Sequence, residues 1–556
     1  MHFASYIFIG FVLALVTLYY VLPKKTQWPL LLLGSYVFYY YAGWKCLLYI
    51  LAVTVITYVA GLLISKNKMQ ADAKIADMKA REKARSQLVK DDPTFAESTE
   101  EPVDKTARKL YKEKQKKKRR HIMAVGIILA LLILAVVKYT DFTIHNINSI
   151  LSVFKISKRI SFLSIALPMG LSFYTFQAVG YVIDVYRDRH EAQKNFFKYA
   201  LFVSFFPQLV QGPISRYGDL SRELYTPHDF SGRVVARGLE RVIWGFFKKL
   251  VIADRILPAV KVMIETPENY KGMFVFMVMM FYALELYADF TGGIDITIGI
   301  AEMLAIPVKE NFERPFFSKN IAEYWRRWHI TMGTWFTDYI FYPISVSGPM
   351  LKLSKWSRKH LPEKMGKRVP VYLASFVVWF ATGIWHGASW NFIVWGLGNF
   401  VVIMISQELE PLYAKFHKKV NTERNTLTST SYKTFQVGRT VLLMSALRLF
   451  DCYRDVPMTF KMFGTLFTTW NWNLLSSNAM LQLGINRADY VILGIGTLVL
   501  IIVSMIGRSG SVRDKMEKKL PMPLRWGAFT ILVMIILVFG AYGEGYDAAQ
   551  FIYNQF

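Results

Sequence analysis

Two cysteines among 556 residues, and the absence of several short catalytic motifs, exclude many common activities. Cys46 and Cys452 lie inside apolar runs without a CxxC partner or a nearby histidine. We therefore interpret both as small buried apolar residues rather than as a disulfide framework. No Cys/His cluster has zinc spacing, so we expect no metal site. The lack of a GxSxG motif argues against a serine hydrolase, and the lack of a P-loop or GxGxxG motif argues against nucleotide binding.

Charge is also scarce, and acidic charge most of all. Charged residues make up 19% of the chain, whereas soluble proteins carry about 25%. Lys and Arg number 67 against 40 Asp and Glu, for a formal net charge of +27. The basic residues stand in short clusters between apolar runs, as in the cytoplasmic loops of membrane proteins. We attribute the excess to membrane topology and contact with anionic membrane lipids, and we expect no nucleic-acid partner.

Long runs of hydrophobic residues are the most abundant feature of the sequence. Hydrophobic residues reach 53%, and many runs approach the 16 to 25 residues or so that cross a bilayer. These runs predict an all-α polytopic membrane protein with roughly 11 or 12 transmembrane helices. The first run follows no basic region or cleavage site and predicts a retained helix. The runs lie near 4–22, 28–43, 46–64, 122–140, 161–183, 236–262, 274–305, 370–385, 389–408, 436–450, 488–506 and 522–543.

Two stretches, 196–216 and 307–347, break this alternation. Both place charges, proline or glycine at membrane depth. Non-helical backbone is tolerated there only when it is buried in protein or lines a cavity. We predict that both are re-entrant or interfacial segments.

The chain divides into N-terminal transmembrane helices at 1–65, a charged insert at 66–121 and a catalytic core at 122–556. The insert holds 18 basic and 10 acidic side chains, so we expect it in the cytoplasm, as mobile helix or disorder. It either binds lipid headgroups or a partner, or is a solvated tether. Three spans before the insert place the N-terminus outside, and alternation places the C-terminus outside as well. We expect a multi-pass protein of the plasma membrane.

His386 stands in the apolar, aromatic segment FVVWFATGIWHGASWNFIVWG. An ionisable residue at membrane depth is costly and is a functional candidate by default. Imidazole ordinarily titrates near pH 6.5, so its neutral form can accept a proton from a hydroxyl nucleophile. Gly383 and Gly387 permit close backbone approach or a bend within the membrane. A structural histidine bonded to a carbonyl remains an equal alternative.

His329 follows Arg326 and Arg327 in the basic, aromatic segment EYWRRWHITMGTW. Arginine suits phosphate and carboxylate recognition, so this segment is a candidate receptor for a phosphate-bearing donor such as coenzyme A. The alternative is an interfacial belt of Trp and Arg that anchors the protein.

Buried carboxylates need partners. Asp289 and Asp295 lie in an apolar run, where we expect them to pair with Arg314 or Arg326, or to orient a histidine.

Gln177 and Asp184 also stand in an apolar run. They are seven residues apart and so share one helix face. They either line a cavity or hold neighbouring helices together.

Six stretches in order along the chain carry a resemblance to a known family. They resemble the bacterial branch of the membrane-bound O-acyltransferase (MBOAT) family, which includes alginate O-acetyltransferase-like (AlgI-like) proteins, and more distantly the DltB-like D-alanyl transfer proteins. The paired blocks YWRRWHIT and GIWHGASW are the specific part. The stretches are LPMGLSFYTFQ, FFPQLVQGPISR, ADFTGGIDITIGIA, NFERPFFSKNIAEYWRRWHITMGTWFTDYIFYP, GIWHGASWNFIVWG and FGAYGEGYDAAQFIYNQF.

The resemblance implies that His386 is the membrane-embedded catalytic histidine and His329 a second signature histidine nearer the cytoplasm. It implies a ring of helices around a central tunnel and funnel, with no tightly bound cofactor. The donor would be a cytoplasmic acyl thioester, either acetyl-CoA or an acyl carrier protein. The acceptor would be an outer hydroxyl on a glycan or on a partner such as a secreted SGNH-type acyltransferase. Two features depart from the pattern: the long insert, and Gly293, which stands where the AlgI-like group has tyrosine.

The leading hypothesis is therefore an O-acyltransferase, with acetyl the first choice, for a cell-surface polysaccharide or cell-wall polymer. His386 would activate the acceptor hydroxyl, and Trp385, Ser389 or a backbone amide would stabilise the oxyanion. His329 would gate, position or stabilise the donor. The alternatives are D-alanyl transfer from a carrier protein to teichoic acid, a transporter of the acyl donor, and a non-catalytic scaffold for a secreted acyltransferase.

Overall fold

The computed structural model describes residues 3–91, 105–420, 426–476 and 478–542. Within these ranges the chain is helical and forms no strand; Phe312 and Trp328 make an isolated antiparallel bridge. The expected all-α architecture is confirmed.

The helices follow one another along the chain with short connections. They are α1 (Tyr6–Val21), α2 (Gln27–Tyr40), α3 (Trp44–Asp91), α4 (Lys105–Val153), α5 (Leu171–Tyr186), α6 (Phe196–Ser204), α7 (Phe206–Leu209), α8 (Tyr217–Tyr225), α9 (Gly232–Phe246), α10 (Asp254–Glu265), α11 (Met273–Met303), α12 (Ile321–Arg327), α13 (Ile330–Phe336), α14 (Tyr342–Ser345), α15 (Gly348–His360), α16 (Glu363–His386), α17 (Trp390–Glu408), α18 (Glu410–Val420), α19 (Thr426–Tyr453), α20 (Val456–Thr468), α21 (Arg487–Ile506), α22 (Val512–Lys519) and α23 (Met522–Phe539).

Seven helices in the described ranges are long and apolar enough to cross a membrane: α3, α4, α11, α16, α17, α21 and α23. The chain is thus a multi-pass membrane protein, but these helices are fewer than the 11 or 12 spans predicted. The difference has a local cause. The first two apolar runs form helices of only 16 and 14 residues. The run near 236–262 is split by a π-helical segment, Phe247–Ala253, which carries two lysines.

The charged insert is built as extensions of α3 and α4. Asn67 donates a hydrogen bond to Gln115 at 2.9 Å, and farther out Arg108 pairs with Glu82, so the two extensions run antiparallel. At about 1.5 Å per residue, the 48 residues of α3 span roughly 70 Å, well beyond the bilayer core. We call this feature the basic hairpin: residues 66–91 and 105–121. Its helical part agrees with the prediction; 92–104 lie outside the described residues.

The two irregular stretches contain short helices joined by non-helical backbone, which is buried at 210–215 and partly exposed at 307–320. Several of their backbone groups bond within the protein. The Glu313 amide donates to the Arg327 carbonyl at 2.9 Å, and the Ile214 amide donates to the Thr331 hydroxyl at 3.0 Å. The second bond joins one stretch to the other. Short helices with irregular connections are compatible with re-entrant or interfacial segments at 196–216 and 307–347, and that assignment stays a prediction.

The most buried of the seven long helices is α11, which packs closely against α9. Glycines set this distance, since a Cβ at Gly245 would lie 2.6 Å from the carbonyl oxygen of Gly292. Small residues at such crossings let helices approach in a membrane protein. Asp289 and Phe290 lie on α11, and Phe290 reaches the site described next.

Candidate active site

His386 is the last residue of α16, where the chain turns through 387–389 into α17. The turn is tight, because a Cβ at Gly387 would lie 2.1 Å from the ring of Phe392. Gly383 lets the two helices approach, since a Cβ there would lie 2.6 Å from the Phe392 carbonyl oxygen. The predicted close approach and bend at the two glycines are both present, and they hold His386 at the end of the helical hairpin.

Helix α4 fixes the end of α16. The last carbonyls of a helix lack partners within the helix and favour a nearby cation. Lys138 donates to the Trp385 carbonyl at 2.5 Å, and Tyr139 donates to the Ile384 carbonyl at 2.7 Å. A lysine and a tyrosine from one helix therefore hold the backbone beside His386.

The His386 imidazole is partly exposed and packs between two indoles. Its ring centroid lies 4.9 Å from that of Trp385 and 4.6 Å from that of Trp395. Both indoles are buried, and Trp395 comes from the returning helix α17. Aromatic walls of this kind restrict ring rotation and exclude water from one side of the imidazole.

His329 is fully buried, in contrast, at the junction of α12 and α13. Its φ of +49° lies in the left-handed region, which costs a non-glycine residue free energy and is often found at functional sites. Its Nδ1 lies 3.3 Å from Asn311 Oδ1, an oxygen that also accepts from the Thr331 amide and hydroxyl. The ring packs 5.0 Å from that of Phe290.

Trp385 joins the two histidines into one site. Its indole centroid lies 5.9 Å from the His329 ring as well as 4.9 Å from the His386 ring. The structure thus brings together residues that are 57 positions apart in the sequence. The chemical roles assigned to them remain predictions.

A residue that the sequence analysis missed, Arg448 of α19, lies beside the histidines. Its guanidinium carbon lies 5.0 Å from the ring of Trp328, the residue that precedes His329. Its guanidinium carbon lies 5.1 Å from the ring of Trp395, the indole that contacts His386. An arginine within the apolar run 436–450 was a signal that could have found it, because a buried charge in such a run is rare.

Two of the predicted polar residues hold elements together instead of facing the histidines. Gln177 donates to the side chain of Gln208 at 3.0 Å, which ties α5 to the first irregular stretch. Asp184 accepts from the Tyr339 hydroxyl at 2.6 Å and pairs with Arg189 at 3.0 Å. These contacts match the helix-linking alternative.

The predicted arginine cluster is oriented toward carboxylates. Arg327 pairs with Glu323 one turn earlier at 2.6 Å, and Arg314 lies 3.8 Å from Glu313. Arg326 is exposed. These positions are compatible with a surface that meets headgroups or phosphate, and they do not place the three guanidinium groups beside the imidazoles.

Asp289 does not pair with Arg314 or Arg326, so that prediction is wrong. Its carboxylate lies 2.7 Å from Lys249 Nζ, which also contacts Asp254 at 2.6 Å. All three side chains are buried. The partner lysine lies in the π-helical segment, whose extra residue per turn shifts the register in a way that helical spacing does not reveal.

Asp295 lies farther along α11 and also forms ion pairs with basic side chains. It pairs with Arg241 at 2.9 Å and with Lys248 at 2.5 Å. The six charged residues in these two groups therefore stabilise α11 and its neighbours as buried or partly buried ion pairs.

Gly293, the departure from the family pattern, has a steric reason. A Cβ at this position would lie 1.3 Å from Nε2 of Gln211, which is fully buried in the first irregular stretch. Tyrosine could not occupy this position without displacing Gln211. The lack of a side chain at Gly293 thus leaves room for the Gln211 amide in this chain.

A cavity of about 400 Å³ opens beside the His386 turn. Helix α4, the turn and the connection between α19 and α20 form its wall. Ser389, in that wall, donates a hydrogen bond to Asn391. The lining residues are Phe142, His145, Ala388, Ser389, Trp390, Asn391, Arg454, Asp455, Val456 and Pro457.

No metal cluster accompanies the site: the described ranges hold no group of three or more His, Cys, Asp or Glu side chains arranged to bind a metal ion. The two cysteines are free thiols, Cys452 buried and Cys46 partly so. The side chains described at the site offer imidazole, indole, hydroxyl and guanidinium groups.

Three known proteins are similar to this chain over 42 to 91% of its length. The chain is 27% identical to a probable alginate O-acetylase of Azotobacter vinelandii over 91% of this chain and 85% of that protein. It is 29% identical to a peptidoglycan O-acetyltransferase of Helicobacter pylori, over 56% of this chain and 60% of that protein. It is 26% identical to a teichoic acid D-alanyltransferase of Bacillus subtilis, over 42% of this chain and 58% of that protein.

The family model for membrane-bound O-acyltransferases matches residues 120–447. This range includes α16, both histidines and both irregular stretches. The expected resemblance is confirmed, and the chain belongs to the membrane-bound O-acyltransferase family and is an acyltransferase.

Proposed function

We propose that this acyltransferase moves an acyl group, with acetyl the first choice, from a cytoplasmic thioester to an extracytoplasmic hydroxyl. The observation that carries the proposal is the position of His386. It ends a long apolar helix, two residues before Ala388 in the lining of a cavity.

The direction of transfer follows from charge. Basic residues near spans mark the cytoplasmic face, so the basic hairpin lies on the cytoplasmic side of the plasma membrane. Along α4 the chain rises roughly 30 Å between His121, at the base of the hairpin, and Phe142, in the cavity wall. That rise is about the thickness of the hydrocarbon core. The cavity therefore faces outward, and α16 runs from the basic cluster at 352–368 to the outer end. Both termini are proposed to lie outside.

The proposed chemistry is a single acyl transfer. His386 accepts the proton of the acceptor hydroxyl while the hydroxyl oxygen attacks the thioester carbonyl. The carbon–sulfur bond then breaks, and the departing thiolate takes the proton from His386. The products are an ester and a free thiol, with no net proton change. His329, sealed behind Trp385, positions the donor in this scheme.

The acceptor and donor are proposed by class. Among the relatives named above, alginate, peptidoglycan and teichoic acid are the polymers. We propose a glycan of the cell surface or wall as the final acceptor, reached directly or through a secreted SGNH-type partner. The donor is acetyl-CoA or an acyl carrier protein, bound only during turnover.

The test is transfer of radiolabelled acetyl from acetyl-CoA in inside-out membrane vesicles. Alginate oligosaccharides and peptidoglycan fragments enclosed in the vesicles serve as acceptors. We compare the wild type with His386→Ala, and use His360→Ala as a matched control, because His360 is exposed on α15. Label in the acceptor from wild type and His360→Ala but not from His386→Ala is the expected result. Equal labelling by all three would overturn the role of His386.

A donor exchange separates the second candidate. The similarity to a teichoic acid D-alanyltransferase favours testing a D-alanyl carrier protein in the same vesicles. Transfer from the carrier and not from acetyl-CoA would replace acetyl with D-alanyl. Passage of acetyl-CoA without covalent transfer would support a transporter. If the wild type transfers no acyl group and His386→Ala loses binding of the secreted partner, the result would support a scaffold.

A further inference from the structure

We propose that Arg448 is a catalytic residue that donates hydrogen bonds to the thioester oxyanion formed during acyl transfer. This inference rests on the proposed function, because it assigns a group to the same reaction. It identifies an oxyanion donor distant in sequence from both histidines.

The guanidinium packs against indoles that adjoin the two histidines. Arg448 is 5% exposed, and its guanidinium carbon lies 5.0 Å from the ring of Trp328 and 5.1 Å from that of Trp395. Trp395 in turn lies 4.6 Å from the His386 ring. One indole therefore contacts both the proposed base and the guanidinium. Trp328 immediately precedes His329, so the second histidine is tied to the same wall.

The hydrogen-bonding capacity of Arg448 is only partly used. Its Nη1 lies 3.5 Å from Asp451 Oδ2, longer than the roughly 2.7–2.9 Å of a strong charge-assisted bond. The Tyr324 hydroxyl also interacts with the guanidinium, but within the described residues Nε and Nη2 have no acceptor in good hydrogen-bond geometry. A buried guanidinium with two unused donors is costly to maintain. Three indoles hold it instead, since Trp325 lies 5.8 Å from the guanidinium carbon.

Such donors match the demand of the reaction. When the acceptor oxygen attacks, the carbonyl oxygen of the thioester becomes negatively charged. Preorganised donors in a water-excluded site stabilise that charge more strongly than water does. As the carbon–sulfur bond breaks, the charge leaves the oxygen and the carbonyl reforms as an ester. Arg448 neither gains nor loses a proton in this step, because arginine stays protonated in proteins.

Ser389, an oxyanion candidate from the sequence, fits less well. Its hydroxyl already donates to Asn391, whose amide donates to the Phe450 carbonyl at 3.0 Å. The serine is therefore engaged in holding the turn against α19. Arg448 carries both charge and spare donors, so it suits the oxyanion better than Ser389 does.

The experiment compares Arg448→Met and Arg448→Lys with Arg439→Met. Arg439 is the matched control, because it lies on the same helix and also packs on an aromatic ring, at 5.4 Å from Tyr413. Purified protein in detergent is supplied with acetyl-CoA and an alginate oligosaccharide, and release of the CoA thiol is followed. Loss of an oxyanion donor lowers kcat by about 100- to 1,000-fold. We expect that loss in Arg448→Met, with the KM for acetyl-CoA unchanged, and a partial recovery in Arg448→Lys.

Two further measurements distinguish the reacting role from a structural one. Protection of each variant by acetyl-CoA against thermal unfolding reports ground-state binding, which an oxyanion donor leaves unchanged. In the double variant with His386→Ala, the two losses should be strongly non-additive, because both groups act in one step. An unchanged kcat in Arg448→Met, a rise in KM alone, or equal losses in Arg439→Met would each overturn the proposal.

The outcomes also separate this proposal from the proposed function. Turnover by the wild type, lost in His386→Ala but kept in Arg448→Met, defeats only the assignment of Arg448. Absence of turnover by the wild type with thioester donors defeats both. Should Arg448→Met fail to fold, Arg448→Lys decides the question, since a fully active lysine variant contradicts a need for the guanidinium fork.

Discussion

His386 and His329 lie against the same indole ring but differ in exposure and in what holds them. His386 is partly exposed at the end of a helical hairpin, next to a cavity, and its backbone is fixed from α4. His329 is sealed in irregular backbone, and its ring meets an asparagine that also binds the following threonine. The difference suggests a division of labour, in which the accessible histidine exchanges protons and the sealed one fixes geometry.

The largest expected effect comes from replacing the accessible histidine. We predict that His386→Ala lowers kcat by roughly 100- to 10,000-fold, the usual contribution of a general base. Because the ring is partly exposed, the free energy of unfolding should change by only about 1 kcal/mol. Acetyl transfer and the midpoint temperature of unfolding in detergent measure the two effects. A large drop in the free energy of unfolding with little loss of acetyl transfer would show that His386 has a structural role rather than a catalytic one.

The sealed histidine should show the opposite balance. Asn311→Ala removes the oxygen shared by His329 and Thr331, and leaves buried polar groups without their partner. We predict a loss of about 1–3 kcal/mol in the free energy of unfolding, with a smaller loss of kcat than His386→Ala causes. Thermal unfolding and turnover are measured on the same preparation. Asn399→Ala, at another buried asparagine, serves as the control for general destabilisation.

How far the sequence predicted this site depends on how local each feature is. The hairpin at His386 was predictable, because two glycines and a histidine interrupt an otherwise apolar run within a few residues. The pairing of Asp289 was not, because its lysine comes from a π-helical segment whose register helical periodicity does not describe. Arg448 was missed because its proximity to His386 depends on tertiary packing of α19 against α17.

The same principle applies to helix number. Apolar length predicted spans wherever a run reached the right size, and seven of these runs form helices long and apolar enough to cross a membrane: α3, α4, α11, α16, α17, α21 and α23. Other runs form shorter helices, as in α1 and α2, or change from α to π geometry, as at Phe247–Ala253. Hydropathy averages over such breaks, while backbone hydrogen bonding does not.

A weaker effect should follow from loosening the backbone beside His386. Lys138→Met removes the cation that binds the Trp385 carbonyl. We predict a loss of about 1 kcal/mol in the free energy of unfolding, the size of a cation effect at a helix C-terminus. We also expect kcat to fall by roughly tenfold, since misplacing a catalytic group slows the reaction. Tyr139→Phe, which removes the neighbouring neutral bond, is the control and should cost less kcat. Equal effects of the two variants would show that the charge of Lys138 adds nothing.

The smallest effect should come from Ser389→Ala, on the cavity side of the comparison. The serine hydroxyl donates to Asn391, and the Asn391 amide keeps its own bond to the Phe450 carbonyl when the serine is removed. We therefore predict a stability loss of about 1 kcal/mol, the net worth of one hydrogen bond. The kcat for acetyl transfer should stay within about threefold of wild type, because the hydroxyl proton is already donated to Asn391 and is not available to an oxyanion. A loss of about 100-fold in kcat with unchanged KM would instead identify Ser389 as the oxyanion donor. That result would also remove the need for Arg448, and the two variants measured side by side decide which wall of the His386 site stabilises the transition state.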